Sequence, residues 1–131
     1  MSAPFVHRLR GRYAECDMQG HTYNAHYLTW LDIAHTELLR HAFGAYQEIL
    51  DLGVDFVVAD ARLRFRGSAR FDDEVDVVLE VERLGDTSLT SAWRVERDGE
   101  LLVEGSIRHV CVGTEDYAKK TIPDFMRSAL S

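Results

Sequence analysis

The chain is poor in cysteine: Cys16 and Cys111 are the only two among 131 residues. Two thiols supply no disulfide framework, which removes the small secreted scaffolds from consideration. No apolar run reaches the 18 residues a membrane-spanning helix needs. The start, Met1-Ser-Ala-Pro-Phe-Val-His7-Arg8, lacks the basic-then-apolar order of a signal peptide, so a cytoplasmic location is expected. Basic residues are also scarce, 15 Lys and Arg against 22 Asp and Glu, for a formal charge of −7. That balance argues against nonspecific binding to nucleic acid or to an anionic membrane, both of which need a basic surface. It leaves room for a small anionic ligand held by a local arginine cluster. There is no internal repeat, no low-complexity segment and no linker, and the length suits one domain with a real core.

Common catalytic and metal signatures are missing too. His21, His26, His35 and His41 include no i,i+4 pair, and neither HExxH nor CxxC occurs. No metal site is therefore expected. The absence of Gly-x-Ser-x-Gly speaks against a hydrolase built on a nucleophilic serine elbow.

What the chain does contain is a strong alternation of periods. Residues 5 to 13 read as a short strand, followed by a loop over 14 to 24. Tyr27, Leu31, Ala34, Leu38 and Ala42, widened by Leu28, Ile33 and Leu39, predict one apolar helix from about Ala25 to Phe43. Asn24 is the expected N-cap and Gly44 the stop. A second helical turn is expected over Ala45 to Leu52. Period-two patterns then predict strands over 54–66, 74–83, 87–97 and 100–113, with Asp98-Gly99 as a two-residue hairpin turn. A short helix after Pro123 is expected to end the chain. Strand, long helix, then four antiparallel strands is an α+β pattern. A curled five-stranded sheet would bury the single helix on its concave face.

The segment Asp17-Met-Gln-Gly20-His21-Thr-Tyr23-Asn24-Ala-His26-Tyr27 concentrates the candidate chemistry. Asp17 reads either as a turn aspartate working with Gly20 or as a carboxylate beside the unpaired N–H groups of a helix start. A carboxylate so placed is equipped to act on a polarised carbonyl. His21 reads as a turn residue or a substrate donor ahead of a base, and Asn24 either as a cap alone or as a cap that also touches substrate. Tyr13, Tyr23 and Tyr27 read first as core or rim residues. Arg62, Arg64, Arg66 and Arg70 form the one basic concentration. Arg62 and Arg64 are expected to pair with the acidic row Glu74, Asp76 and Glu80 on the following strand. For Arg66 and Arg70, near Gly67-Ser68, a solvated face and a phosphate-binding rim both stand.

The spacing Asp17-x-x-Gly20-His21-x-x-Asn24-x-x-Tyr27, followed by Leu28-x-Trp30-Leu31-Asp32-x-Ala34, resembles the signature of hotdog-fold acyl-CoA thioesterases. The resemblance is to the 4-hydroxybenzoyl-CoA thioesterase group and its fatty-acyl-CoA and Tol–Pal-associated relatives. It extends through Phe71-Asp72-Asp73-Glu74-Val75-Asp76-Val77 and Lys119-Lys120-x-x-Pro123, so nearly the whole chain is covered. It implies a single hotdog domain over residues 1–131, with five antiparallel strands wrapped around one long helix. It implies that Asp17 acts as general base or nucleophile, while amides around Tyr23 and Asn24 polarise the thioester carbonyl. The Tol–Pal branch has a histidine where this chain has Asn24, so the fatty-acyl branch is more similar here and Asp17 is the one catalytic residue implied. Gly20, His21, Tyr23, Asn24 and Tyr27 would line the substrate, with Arg66 and Arg70 meeting the phosphates of CoA. No cofactor is implied, since CoA is part of the substrate, and the expected assembly is a homodimer or homotetramer. The readings that compete are a thioesterase acting on acyl carrier protein and a non-catalytic acyl-binding hotdog protein.

Overall fold

A computed structural model describes residues 3–131. Strand β1 (Phe5–Arg10) leads through a 3₁₀ turn (Tyr13–Glu15) and a loop to helix α1 (His26–Phe43) and the short helix α2 (Tyr46–Asp51). Four strands follow, β2 (Val54–Phe65), β3 (Glu74–Leu84), β4 (Ser88–Arg97) and β5 (Glu100–Gly113), and α3 (Asp124–Leu130) closes the chain. All five strands join one antiparallel sheet in the order β1-β3-β4-β5-β2. The expected α+β architecture of one sheet and one long helix is what forms.

Helix α1 lies on one face of that sheet because its apolar stripe needs cover. Tyr27, Trp30, Leu31, Ala34 and Leu38 share a buried cluster with Val75, Val77 and Leu79 of β3, Trp93 and Val95 of β4, and Val103 and Ile107 of β5. A second cluster, including Leu39, Ile49, Phe56, Cys111, Ile122 and Met126, seals the far end of the helix with α2 and α3. Curling the sheet this tightly demands a glycine at its middle. A Cβ on Gly105 would lie 1.7 Å from the Arg62 carbonyl oxygen and 3.1 Å from Trp93 Nε1, so no side chain fits there. The β4–β5 hairpin turns at Asp98-Gly99, both with positive φ (51° and 80°), as a two-residue turn of this composition requires.

Three expectations need correction. Strand β1 stops at Arg10, because Gly11 leaves the ladder to bond with the backbone of Asp72 and Asp73 and the 3₁₀ turn begins. The helix starts at His26, with Ala25 already in helical geometry at the cap position and no side-chain cap, so Asn24 is not the N-cap. The arginines of β2 do not meet the acids of β3, because β5 and β4 lie between those strands. The acids are answered from β1 instead, by Arg8 to Asp76 at 2.9 Å and Arg10 to Glu74 at 2.8 Å, while Arg62 turns to Asp60 of its own strand.

Within the core, His35 of α1 and His109 of β5 stack with ring centroids 3.7 Å apart and planes 14° from parallel. Both are buried, and His35 Nε2 and His109 Nδ1 have no hydrogen-bond partner among the described residues. Burial pushes His109 down to about 4, and burial with the neighbouring ring pushes His35 well below the ordinary imidazole range. Between that value and the unfolded one near 6.5, the unfolded chain takes up protons that the folded chain refuses. Stability therefore falls as pH drops through this window and is flat above it, with His109 alone accounting for about 3 kcal/mol. Urea unfolding at pH 7 and pH 4 should show the loss, and His109→Phe should shrink it; an equal loss in both proteins would contradict the assignment.

Candidate active site

The loop before α1 is a closed hairpin hung between the two ends of the fold. An antiparallel bridge joins Cys16 to Thr22, and Asp17 N–H donates to the His21 carbonyl at 2.9 Å. Gly20 N–H returns to the Asp17 carbonyl at 3.0 Å, with Gly20 at φ 80°. Asp17 Oδ1 accepts Gln19 N–H at 2.8 Å, the local turn bond an aspartate favours. Its other carboxylate oxygen has no partner among the described residues, and Asp17 lines an open groove of about 610 Å³ together with Tyr13, Cys16, Met18, Gly20 and Phe71. Tyr13 and Phe71 meet edge to face at 5.8 Å on its rim, and Met18 is fully exposed. The site is thus an acid in a groove with apolar walls.

Two anchors hold the loop. On its C-terminal limb, Thr22 N–H donates to Ala69 at 2.9 Å and His21 bridges to Arg70, which fastens the loop to the segment between β2 and β3. Tyr27 completes that joint: its hydroxyl accepts Ala69 N–H at 2.9 Å, and burial raises the phenol above its ordinary range. On the N-terminal limb the anchor is Glu15, buried with its carboxylate toward Trp30 Nε1 at 2.9 Å and Arg12 N–H at 2.8 Å.

The expected site residues separate accordingly. Asp17 and Gly20 share the groove. Tyr27 does not line it; at 1% exposed it is a core residue that latches the loop. The Tyr23 amide is spent on the Glu15 carbonyl at 2.8 Å, so the oxyanion donors cannot include it. The next two amides, Asn24 and Ala25, have no partner among the described residues. The Tyr23 ring is half exposed and packs against His26. His21 is half-buried beside Arg70 rather than in the groove wall. Arg66 is engaged by Glu104 at 2.9 Å, whereas the Arg70 guanidinium has no ion pair among the described residues. Also among the described residues, no three His, Cys, Asp or Glu side chains converge as a metal site. Glu15 was not foreseen. Its one signal is Trp30, an indole on the apolar face of α1 whose N–H needs an acceptor once buried.

A five-stranded antiparallel sheet curled over one long helix, with an acidic loop at the helix start, is the hotdog architecture. Over residues 12–130 the sequence matches the Thioesterase-like superfamily. It is 30% identical to the acyl-CoA thioester hydrolase YbgC of Escherichia coli over 88% of this chain and 87% of that one. A hypothetical protein of Thermus thermophilus, 34% identical, superposes with a TM-score of 0.89 over 98% of this chain and 95% of that one. A 1,4-dihydroxy-2-naphthoyl-CoA thioesterase from Synechocystis shares the fold at 19% identity, with a TM-score of 0.87 over 98% and 96% of the two chains. This chain belongs to the thioesterase-like superfamily.

The Tyr27 latch makes a direct prediction. Tyr27→Phe leaves the Ala69 N–H without its acceptor in a buried joint, a loss of about 1–3 kcal/mol. Chemical denaturation should show that loss, and a midpoint equal to wild type would refute the latch.

Proposed function

We propose that this chain hydrolyses an acyl-CoA thioester to a free acid and CoA, with Asp17 as the reacting carboxylate. The observation that carries the proposal is the division of labour within that side chain. One oxygen is tied to Gln19 N–H at 2.8 Å, while the other has no partner among the described residues, and Asp17 lines the groove. The tie fixes the direction of the second oxygen, which either takes the proton of an attacking water or attacks the thioester carbonyl and forms a mixed anhydride that water opens. In both routes charge builds on the carbonyl oxygen. The unpaired amides of Asn24 and Ala25, at the positive end of α1, are the donors suited to receive it, each worth about 3 kcal/mol.

No separate cofactor takes part, because CoA arrives with the substrate. Of Arg66 and Arg70, Arg70 is the one whose guanidinium has no ion pair among the described residues to compete with a CoA phosphate, while Arg66 already pairs with Glu104. His21 and Asn24 position rather than react. Relatives named as acyl-CoA and 1,4-dihydroxy-2-naphthoyl-CoA thioesterases support a CoA ester as the substrate class. The net charge of −7 favours it over an acyl carrier protein, which is itself usually acidic. A pure acyl binder gains nothing from a carboxylate beside an electron-rich carbonyl.

The functional unit in this proposal is a cytoplasmic homodimer or homotetramer. Strand β2 is a sheet edge, and Val57, Val58 and Phe65 on it are exposed. An apolar strand edge is a liability unless a second chain covers it.

Asp17→Asn should abolish CoA release from every acyl-CoA the wild type accepts, across a panel of short, long and aromatic acyl groups read with a thiol reagent. Circular dichroism and oligomer size should stay as in wild type. Undiminished turnover would remove Asp17 from the chemistry.

A further inference from the structure

Glu15 is, among the described residues, the one acid that is buried, with 5% of its surface exposed. Taking a carboxylate out of water costs several kcal/mol, and an apolar side chain of similar volume would fill the same space without that cost. What the carboxylate supplies in return is direction. Oε1 accepts the Arg12 backbone N–H at 2.8 Å, and Oε2 accepts Trp30 Nε1 at 2.9 Å with the Arg12 guanidinium at 3.4 Å. The carbonyl of the same residue accepts Tyr23 N–H at 2.8 Å. One residue therefore ties together the chain entering the loop, the chain leaving it and the second turn of α1. Trp30 is fully buried and packs edge-on against Tyr27 at 5.2 Å, so the tie ends in the core.

We infer that Glu15 is a positioning residue for thioester hydrolysis, setting the placement of Asp17 relative to the Asn24 and Ala25 amides. This rests on Asp17 as the reacting carboxylate. Asp17 is two residues from Glu15, and its own side-chain bond stays inside the loop. The anchors to Ala69 and Arg70 hold the other limb, at Thr22 and His21. Glu15 thus governs the limb that carries the acid. The Tyr23 amide is taken up by the main-chain carbonyl of Glu15, so the side-chain ties to Arg12 and Trp30 fix the backbone from which both the acid and the Tyr23–Asn24 turn are held. A shift of about 1 Å between such groups costs on the order of 100-fold in rate.

The test compares Glu15→Gln and Glu15→Met with wild type and Asp17→Asn, measuring kcat and KM per folded molecule alongside urea unfolding. Gln keeps the shape and one acceptor; Met keeps the volume and neither. The expected order of kcat is wild type, then Gln, then Met, with Met lower by roughly 10- to 100-fold and KM within about twofold because the groove walls are untouched. Stability need not follow that order, since Met carries no charge to desolvate. If kcat per folded molecule is unchanged in both variants, or if it only follows the folded fraction, Glu15 is structural and the inference falls. If Asp17→Asn remains active, the failure lies with the assignment of Asp17 instead.

Discussion

A single sheet must cover a single helix, and the rest of the structure follows from that constraint. The apolar stripe of α1 is too broad for a flat ribbon, so the strands curl until β3, β4 and β5 all reach it. Each large side chain removed from water there contributes about 1.5–3 kcal/mol, and Trp30, Leu31, Leu38, Leu79 and Trp93 are all essentially fully buried. The curl is bounded by backbone geometry at Gly105, where the Trp93 ring edge and the Arg62 carbonyl occupy the space a side chain would take. Residues 11–25 and 66–73 lie outside the strands and pair with each other at the rim through Gly11 and Asp73 and through Thr22 and Ala69. The groove around Asp17 lies between these two rim segments, with Tyr13 to Gly20 on one side and Phe71 on the other.

Charge has a different weight on the two sides of this sheet. On the solvent side, Arg8–Asp76, Arg10–Glu74 and Arg66–Glu104 are exposed pairs, each worth at most about 1 kcal/mol. They match strands in register more than they hold them together. Arg97 is better placed: at 2.7 Å from Asp73 and 3.1 Å from the Ser68 carbonyl, it secures the 66–73 segment from below while Tyr27 secures it from within. Hydrogen bonding and charge from Arg97, with the Arg70 amide, hold the Asp73 carboxyl below its ordinary range against the opposing effect of burial. The polar groups with leverage are the buried ones, Glu15 at the loop and the His35–His109 stack in the core.

Periodicity carried most of the fold into the sequence, because a stripe at helical spacing or a strict alternation has few other uses. The misreadings arose where local chemistry was asked a long-range question. Opposite charges on β2 and β3 suggested neighbours, yet the chain between them crosses to the other side of the sheet, and Arg8 and Arg10 on β1 answer the same acids equally well. Asn24 has the right chemistry for a cap, but Ala25 already adopts helical geometry and takes the position. At the site, Asp17 and Gly20 were legible because a tight turn imposes residue types. The role of Tyr27 was only half legible: its place on the apolar face was plain, its bond to Ala69 was not. Glu15 was the least legible, since one buried acid leaves no period, its partners lie 3, 8 and 15 residues away, and the need of the Trp30 indole for an acceptor does not say which acid supplies it.

The two readings of Asp17, turn residue and reactive acid, are not rivals. A carboxylate on a flexible loop explores many directions, and fixing one during reaction would cost conformational entropy at that moment. Binding Oδ1 to Gln19 N–H restricts that freedom in advance and, in the proposed reaction, leaves one oxygen to react. The amides proposed to face the carbonyl from the other side are likewise set before any substrate arrives. At the start of α1 the backbone answers its own first donors, with the His26, Tyr27 and Leu28 amides bonding to the Tyr23, Asn24 and Ala25 carbonyls, so the open amides are the two just before the helix, Asn24 and Ala25. α1 therefore begins without a side-chain cap, and it tolerates that because its stability comes from the stripe packed on the sheet.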